Sequence, residues 1–183
     1  APNFHSAMKY VGPVRKKIGK RTIFNMIGPL SSPALVKKQV VGVFDKKLLG
    51  IFANALKDLE ITNAWIVNSE DGLDEISPYA ITNVCQLKNG DISNILIDPA
   101  ELEINTKGFD TILGKDADYN SQKIIDIFKG EDNDFSIAVC LNAAAGLIVS
   151  GNKNSFNEAY HVSRDHILSG KTFDHLKKIQ NGN

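Results

Sequence analysis

Residues 64–75 read AWIVNSEDGLDE, a short apolar run that passes into four carboxylates within six residues. Apolar runs of this length, bounded by polar turn residues, are typical of strands that are buried on both faces of a sheet. In open α/β sheets, ligands bind beyond the carboxyl ends of the strands. We therefore expect the acidic residues 70–75 to lie where a ligand would bind.

The carboxylates of Asp71, Asp74 and Glu75 repel one another, so grouping them costs free energy unless a cation or hydrogen-bond donors compensate. Mg²⁺ suits such oxygen ligands, because it takes one or two protein carboxylates and completes its shell with water and substrate phosphates. Gly72 permits a tight turn between the acids. On spacing alone, the favoured interpretation is still a solvated acidic turn whose carboxylates cap a following helix.

Composition limits the classes of protein that this chain can belong to. Its 183 residues, 43% hydrophobic and 23% charged, predict one sizeable globular core. The 21 basic and 21 acidic residues give a formal net charge of zero, so no overall field attracts nucleic acid or an anionic membrane. The apolar segment 137–149 is too short to span a bilayer, and residues 1–10 have no signal-peptide pattern. Cys85 and Cys140 lie far apart, which predicts buried thiols and a cytoplasmic protein.

The segments around the acidic stretch predict a mixed sheet flanked by helices. A strand over residues 39–44, an amphipathic helix over 47–59 and the strand at 64–67 form a βαβ unit, whose two strands are parallel. Apolar runs at 82–87 and 92–97 flank Asn89-Gly90, which is a strong hairpin signal. Residues 98–116 predict a short helical turn and an irregular loop, and helices follow at 118–128, 136–150, 155–168 and 172–179. In the second of these helices, Asn142 is interpreted as a structural polar group among small residues.

The amino-terminal segment predicts helices with a basic surface. Apolar residues between Phe4 and Val11 follow helical spacing, and a second helix is predicted to begin with Pro13 at its first position. Six of the thirteen residues 9–21 are basic, which usually indicates a solvated helix face, with binding of a carboxylate or phosphate as the alternative. Arg15 lies at the border of the Val14 and Ile18 stripe, from which it can reach a cleft. A short helix is predicted over residues 22–27, before a reversal at Gly-Pro.

Five blocks of sequence, taken together, resemble the anthranilate phosphoribosyltransferase family of tryptophan biosynthesis. They are APNFHSAMK at 1–9, VRKKIG at 14–19, RTIFNMIGPL at 21–30, DGLDE at 71–75 and LNAAA at 141–145. The resemblance covers nearly the whole chain. It implies a fold of the α/β class, of the nucleoside phosphorylase and phosphoribosyltransferase type, with a mixed, partly parallel sheet at residues 34–183. It also implies that residues 1–33 are helices of a small helical domain that is mostly missing.

The resemblance also implies an activity and its residues. In the family, the amine of anthranilate attacks C1 of phosphoribosyl pyrophosphate, pyrophosphate leaves, and Mg²⁺ offsets its charge. By position, Asp74 and Glu75 correspond to the metal-binding pair, and Arg15 to the arginine that engages anthranilate. The resemblance implies as well that the anthranilate pocket is lined by Ala1, Pro2, His5, Met8, Gly28 and Pro29. The resemblance further implies a cytoplasmic homodimer that binds neither membrane nor nucleic acid.

The chain departs from the family pattern at several places. His5 is followed by Ser6 where the family has proline, Asn68-Ser69 replaces a His-Gly pair, and Lys115 replaces a glycine. The family's Gly-Thr-Gly-Gly-Asp phosphate loop would precede Ala1, so we expect this chain to lack full activity alone. Two alternatives stay open: a pyrimidine-nucleoside phosphorylase of the same fold, and a non-catalytic paralogue that binds nucleic acid through the basic residues 9–21.

Overall fold

The protein is described by a computed structural model that covers residues 8–20 and 22–182. Its centre is a four-stranded sheet in the order β1-β2-β3-β4. Strands β1 and β2 are parallel, whereas β2 with β3 and β3 with β4 are antiparallel. The predicted mixed, partly parallel sheet is therefore confirmed. The strands are β1 (Lys38–Gly42), β2 (Asn63–Ser69), β3 (Thr82–Lys88) and β4 (Asp91–Ile97).

Strand β2 is buried on both faces, as its sequence predicts. Its alternate residues enter two different hydrophobic cores, because successive side chains of a strand point to opposite faces. Trp65 and Val67 belong to one core, and Ala64 and Ile66 to the other. The four side chains are at most 4% exposed, which explains the lack of polar residues in this run.

Helices cover the two faces of the sheet. Helix α2 packs in the core that contains Ala64 and Ile66, whereas α4 and α5 pack in the core that contains Trp65 and Val67. A capping box, in which Asn133 and Ser136 bond each other's backbone amides, starts α4. The helices are α1 (Met8–Ile18), α2 (Leu48–Asp58), α3 (Ala117–Phe128), α4 (Asp134–Ser150), α5 (Phe156–Leu168) and α6 (Lys171–Gln180).

The hairpin predicted at Asn89-Gly90 is present. Asn89 has φ 51° and Gly90 has φ 92°, and these residues join β3 directly to β4. Two consecutive positive φ values are what a two-residue hairpin of type I′ requires. The residue pair thus fixes the register in which Lys88 lies opposite Asp91.

The amino-terminal segment differs from the prediction. A single helix spans Met8–Ile18 and contains Pro13, so the prediction that Pro13 begins a second helix is wrong. Proline removes one backbone donor from a helix, and water can satisfy the freed carbonyl on a helix as exposed as this one. The predicted helix at 22–27 is instead a 3₁₀ turn at Ile23–Asn25, followed by another at Pro29–Ser31. Two further 3₁₀ turns, Pro99–Leu102 and Phe109–Ile112, occupy the irregular segment.

Two other predictions from composition bear on the fold. Among residues 8–20 and 22–182, no helix is long and apolar enough to cross a membrane. Cys85 and Cys140 are free and buried, as predicted for thiols of the core.

Candidate metal and substrate cleft

A cleft of about 720 Å³ opens at the carboxyl ends of the parallel strands β1 and β2. One wall is the segment 73–76, which carries Asp74 and Glu75, and the opposite wall is the face of α4 between Phe135 and Asn142. Gly42 at the end of β1 also lines the cleft. The acidic stretch therefore lies where the sequence predicts it, at the ligand-binding edge of a sheet.

The acidic loop, residues 70–75, is anchored by hydrogen bonds at the end of β2. The Ser69 amide donates to the carbonyl of Leu73 at 2.9 Å, and the Ser69 hydroxyl donates to the carbonyl of Glu75 at 2.6 Å. The Ser69 Oγ also lies 2.6 Å from Thr82 Oγ1 on β3. Ser69 and Thr82 are buried, so the loop is attached to two adjacent strands through groups that water does not reach.

Asp71 is occupied by the loop itself. Its Oδ2 accepts a short hydrogen bond from the Ser77 hydroxyl, and its Oδ1 accepts from the Leu73 amide at 3.2 Å. These contacts supply the donors that relieve its charge. The sequence grouped Asp71 with Asp74 and Glu75, but the structure gives it a separate task, that of closing the loop.

Asp74 and Glu75 differ from Asp71, because these two exposed residues line the cleft and Asp71 does not. Within the described part of the chain, neither carboxylate accepts a hydrogen bond or forms an ion pair. Two uncompensated carboxylates are a donor set that suits Mg²⁺, which completes its shell with water and substrate phosphates. No group of three or more His, Cys, Asp or Glu side chains suited to a metal occurs among the described residues, so a cation here would rely on oxygen atoms from outside this set.

Gly42 lets the acidic loop approach the sheet. A Cβ atom built on Gly42 would lie 1.6 Å from the backbone oxygen of Asp74 and 2.7 Å from its carbonyl carbon. Backbone atoms cannot move aside as the end of a flexible side chain can, so only glycine fits. Strand β1 ends at Gly42, two residues before the predicted boundary, and the Val43 amide still donates to the Val67 carbonyl at 2.9 Å.

Asn142 joins the acidic loop to α4. Its Oδ1 accepts from the Ile76 amide at 3.0 Å, and its Nδ2 donates to the Ile76 carbonyl at 3.1 Å. The same Nδ2 donates to the carbonyl of Ala138, one turn earlier in the helix, at 3.0 Å. The interpretation of Asn142 as a structural polar group therefore fits these bonds, and the structure identifies what it holds.

A second junction lies at the first residue of α4. The buried Asp134 accepts at Oδ2 from the Tyr79 hydroxyl at 2.9 Å, from the Lys107 amide at 2.8 Å and from the Thr111 hydroxyl. Burial acts to raise the pKa of Asp134, but these hydrogen bonds outweigh it and lower the pKa below its ordinary value. Burial is also the main reason that the pKa of Tyr79 rises to about 12.

The residues predicted to bind anthranilate are only partly described. Ala1, Pro2 and His5 lie outside the described residues, and Met8 and Arg15 are placed in α1 by their backbones alone. Gly28 and Pro29 are exposed at the start of a 3₁₀ turn. Among the described residues, the lining of the cleft includes none of this set. Their role in a pocket thus stays a prediction.

Sequence reasoning did not connect Gly42 or Asn142 to the acidic pair, although it interpreted Asn142 as a structural polar group. Gly42 lies in a strand, where glycine is unfavourable unless another backbone approaches closely, and that was an available signal. Asn142 lies in the middle of an otherwise apolar helix, where an asparagine needs hydrogen-bond partners. These residues belong to one site because α4 lies close to the end of β2, and the sequence alone does not give that distance.

Comparison with known proteins identifies several relatives of this chain. A family model described as the glycosyl transferase family, a/b domain, matches residues 1–173. The anthranilate phosphoribosyltransferase of Pelagibacter ubique (strain HTCC1062) is 71% identical over 181 residues, which are 99% of this chain and 55% of that protein. The one from Clostridium kluyveri is 39% identical over 183 residues, with 100% of this chain and 55% of that protein covered. The chain spans about half the length of the curated relatives it matches.

Solved structures give the same result for the fold. The crystal structure of anthranilate phosphoribosyltransferase (TrpD) from Thermus thermophilus is 30% identical, with a TM-score of 0.86 over 95% of this chain and 51% of that chain. The Saccharomyces cerevisiae enzyme in complex with PRPP and Mg is 24% identical, with a TM-score of 0.85 over 97% of this chain and 51% of that chain. At this lower identity, the yeast structure supports the fold alone.

Proposed function

The chain belongs to the glycosyl transferase family, a/b domain, and from that premise we propose that it is the carboxyl-terminal part of an anthranilate phosphoribosyltransferase. The matched relatives carry that name and extend over about twice its length. In the proposed reaction, the amine of anthranilate attacks C1 of phosphoribosyl pyrophosphate, the C1–O bond to pyrophosphate breaks, and the amine loses a proton.

The observation that carries the proposal is the pair of carboxylates at the cleft, which have no hydrogen-bond or ion-pair partner among residues 8–20 and 22–182. Asp74 and Glu75 are held at the carboxyl ends of parallel strands, in a cleft whose opposite wall is α4. A bound Mg²⁺ would neutralise charge that develops on the departing pyrophosphate. Asp74 and Glu75 would hold this ion, and the yeast enzyme of the same fold is described with PRPP and Mg.

We propose that the anthranilate side of the reaction uses residues between Ala1 and Pro29. A guanidinium such as that of Arg15 can grip a planar carboxylate through two parallel hydrogen bonds. Together with Ala1, Pro2, His5, Met8, Gly28 and Pro29, it would form the pocket for the aromatic acid. Most of the rate would come from positioning the two substrates and from stabilising charge, since pyrophosphate is a good leaving group.

The test uses a complete protein built around this chain. We would replace the matching part of the Pelagibacter ubique relative with this chain, because 99% of the chain aligns to it at 71% identity. The chimera is expected to release pyrophosphate from anthranilate and phosphoribosyl pyrophosphate in the presence of Mg²⁺, whereas the 183-residue chain alone is expected to lack full activity. Robust turnover by the isolated chain would contradict the expectation that it lacks full activity alone.

The metal assignment is tested in the same chimera. Asp74→Asn combined with Glu75→Gln removes the charge but keeps the size of both side chains. We expect the double variant to lose kcat/KM by a factor of about 100, which is about 2.7 kcal/mol of transition-state stabilisation. Asp58→Asn with Glu60→Gln is the control for the loss of two exposed charges at the end of α2, because the ion pair of Glu60 with Lys37 at 3.7 Å is solvent-exposed and worth little. Unchanged Mg²⁺ dependence in the Asp74 and Glu75 variant would remove the pair from the metal role.

The same preparation discriminates the competing functions. Salt-dependent binding of duplex DNA, with no pyrophosphate release from anthranilate, would favour a nucleic-acid-binding paralogue. Phosphorolysis of a pyrimidine nucleoside would favour the nucleoside phosphorylase. Equal numbers of acidic and basic residues in this chain weigh against the nucleic-acid-binding paralogue.

A further inference from the structure

Helix α4 contains one polar residue in its apolar middle, and this residue is bonded to Ile76, which directly follows the acidic loop. From Ile137 to Val149, the side chains of α4 are aliphatic or small, apart from Cys140 and Asn142. Asparagine is a poor helix former, because its side chain competes for backbone hydrogen bonds. Its presence here indicates a role that offsets this cost.

We propose that Asn142 is a positioning residue for the Asp74 and Glu75 pair. The proposal rests on the proposed metal role of that pair, and it adds a residue that the family resemblance assigned to no part of the chemistry. Asn142 would act on the cation through the backbone of the acidic loop, without contacting the ion.

The hydrogen-bond pattern supports this role. The carboxamide of Asn142 bonds the amide and the carbonyl of Ile76 at 3.0 and 3.1 Å, which fixes the orientation of the peptide groups on both sides of that residue. Ile76 directly follows Glu75, and its side chain is 1% exposed, so both its backbone and its side chain are held. A third bond, from Nδ2 to the Ala138 carbonyl at 3.0 Å, holds the carboxamide in place on the helix.

The other restraints on the loop come from the sheet and from the loop itself. Ser69 holds the carbonyls of Leu73 and Glu75, and Asp71 closes the turn through the hydroxyl of Ser77. Gly42 permits the approach of the Asp74 backbone to β1. Among the described residues, Asn142 alone provides a side-chain hydrogen bond from the opposite wall of the cleft to the segment 73–76. Together with the packing of the buried Ile76 side chain in the core that α4 shares, it holds the residue next to the acidic pair against the opposite wall.

Asn142→Ala removes the carboxamide with little risk to the helix. Alanine is the best helix former, and this residue is followed by alanines at 143–145. The matched control is Asn54→Ala in α2, because Asn54 makes the same intrahelical bond, to the Gly50 carbonyl at 2.7 Å, but reaches no loop. Any effect of losing an asparagine from a helix appears in both variants.

The first measurement is amide hydrogen exchange in the 183-residue chain, read residue by residue. We expect Asn142→Ala to speed exchange of the Ile76 amide about fivefold, since a net hydrogen bond is worth about 1 kcal/mol. Exchange at Cys85 in the middle of β3 should stay at its original rate, which separates local release from loss of global stability. If the Ile76 amide exchanges at the same rate in both variants and in the unchanged chain, the proposal is wrong.

The second measurement is a Mn²⁺ titration followed by paramagnetic broadening of the Asp74 and Glu75 amide signals. The Mn²⁺ concentration needed for half of the broadening should rise about fivefold in Asn142→Ala and remain unchanged in Asn54→Ala, as expected for a loosened carboxylate pair. An equal midpoint in all three proteins, despite faster Ile76 exchange, would overturn the positioning role. If Mn²⁺ broadens neither signal in the unchanged chain, the proposed metal role fails instead, and the exchange result alone decides whether Asn142 holds the loop.

Discussion

At the scale of single residues, the candidate site depends on the absence of a side chain as much as on charged groups. Gly42→Ala would place a Cβ atom within 1.6 Å of the Asp74 backbone oxygen, so the acidic loop or β1 must shift. We expect a loss of about 1–3 kcal/mol in the free energy of unfolding, the usual cost of overpacking. Urea unfolding, followed by the fluorescence of the only tryptophan, Trp65, measures this loss of stability.

Gly50→Ala provides the matched control for this prediction. Gly50 lies in α2, and a Cβ atom built there meets nothing within 4 Å. Alanine should therefore stabilise the helix by up to about 1 kcal/mol. Equal effects of the two substitutions would show that the loop does not press against Gly42.

At the scale of elements, the amino-terminal end of α4 organises the loops beside the cleft through Asp134. Its carboxylate accepts hydrogen bonds from Tyr79, Lys107 and Thr111. Because the pKa of Asp134 is lower in the folded protein, its charge stabilises the fold above its unfolded pKa of about 3.9, and that stabilisation is lost as the pH falls through the folded value.

Asp134→Asn tests this linkage. We expect the variant to lose about 1–3 kcal/mol at pH 7, the cost of weakening a buried hydrogen-bond group. The difference from the unchanged chain should begin to shrink below a pH of about 4, where the carboxylate of the unfolded chain becomes protonated, and should be lost as the pH falls through the lower folded pKa. Urea midpoints measured at neutral and acidic pH supply the comparison. Asp116→Asn is the control, because Asp116 caps α3 through the Tyr119 amide and asparagine caps a helix equally well. A pH-independent difference for Asp134→Asn would contradict the linkage.

The same elements show what the sequence determines. Periodicity and turn residues were enough to predict the buried β2, the hairpin at Asn89-Gly90 and the four later helices, because each is specified by local chemistry. The failure at Pro13 has the opposite cause: an exposed helix can continue through a proline when water replaces the lost hydrogen bond. The contacts of Asn142 and Asp134 join residues far apart in the chain, so no local pattern contains them.

At the scale of the whole molecule, the proposed boundary between a helical segment, 1–33, and an α/β domain, 34–183, can be tested by truncation. Helix α1 presents apolar side chains to solvent, with Tyr10 76%, Val14 53% and Ile18 48% exposed. Such exposure fits a helix whose packing partners belong to another domain. By contrast, Met26 and Leu30 pack against the core formed around α2.

Two truncations therefore have different expected outcomes. Removal of residues 1–20 should change the free energy of unfolding by less than about 0.5 kcal/mol, because exposed side chains contribute little. Removal of residues 1–33 should cost about 2–4 kcal/mol, since it also uncovers apolar surface that Met26 and Leu30 bury. Urea unfolding read by Trp65 fluorescence compares the two with the full chain. If neither truncation changes the free energy of unfolding, residues 34–183 are stable without residues 1–33, which supports the boundary at 33. If only the longer one is destabilising, as we expect, the turns at 23–31 belong structurally to the α/β domain, and the boundary lies between α1 and Ile23.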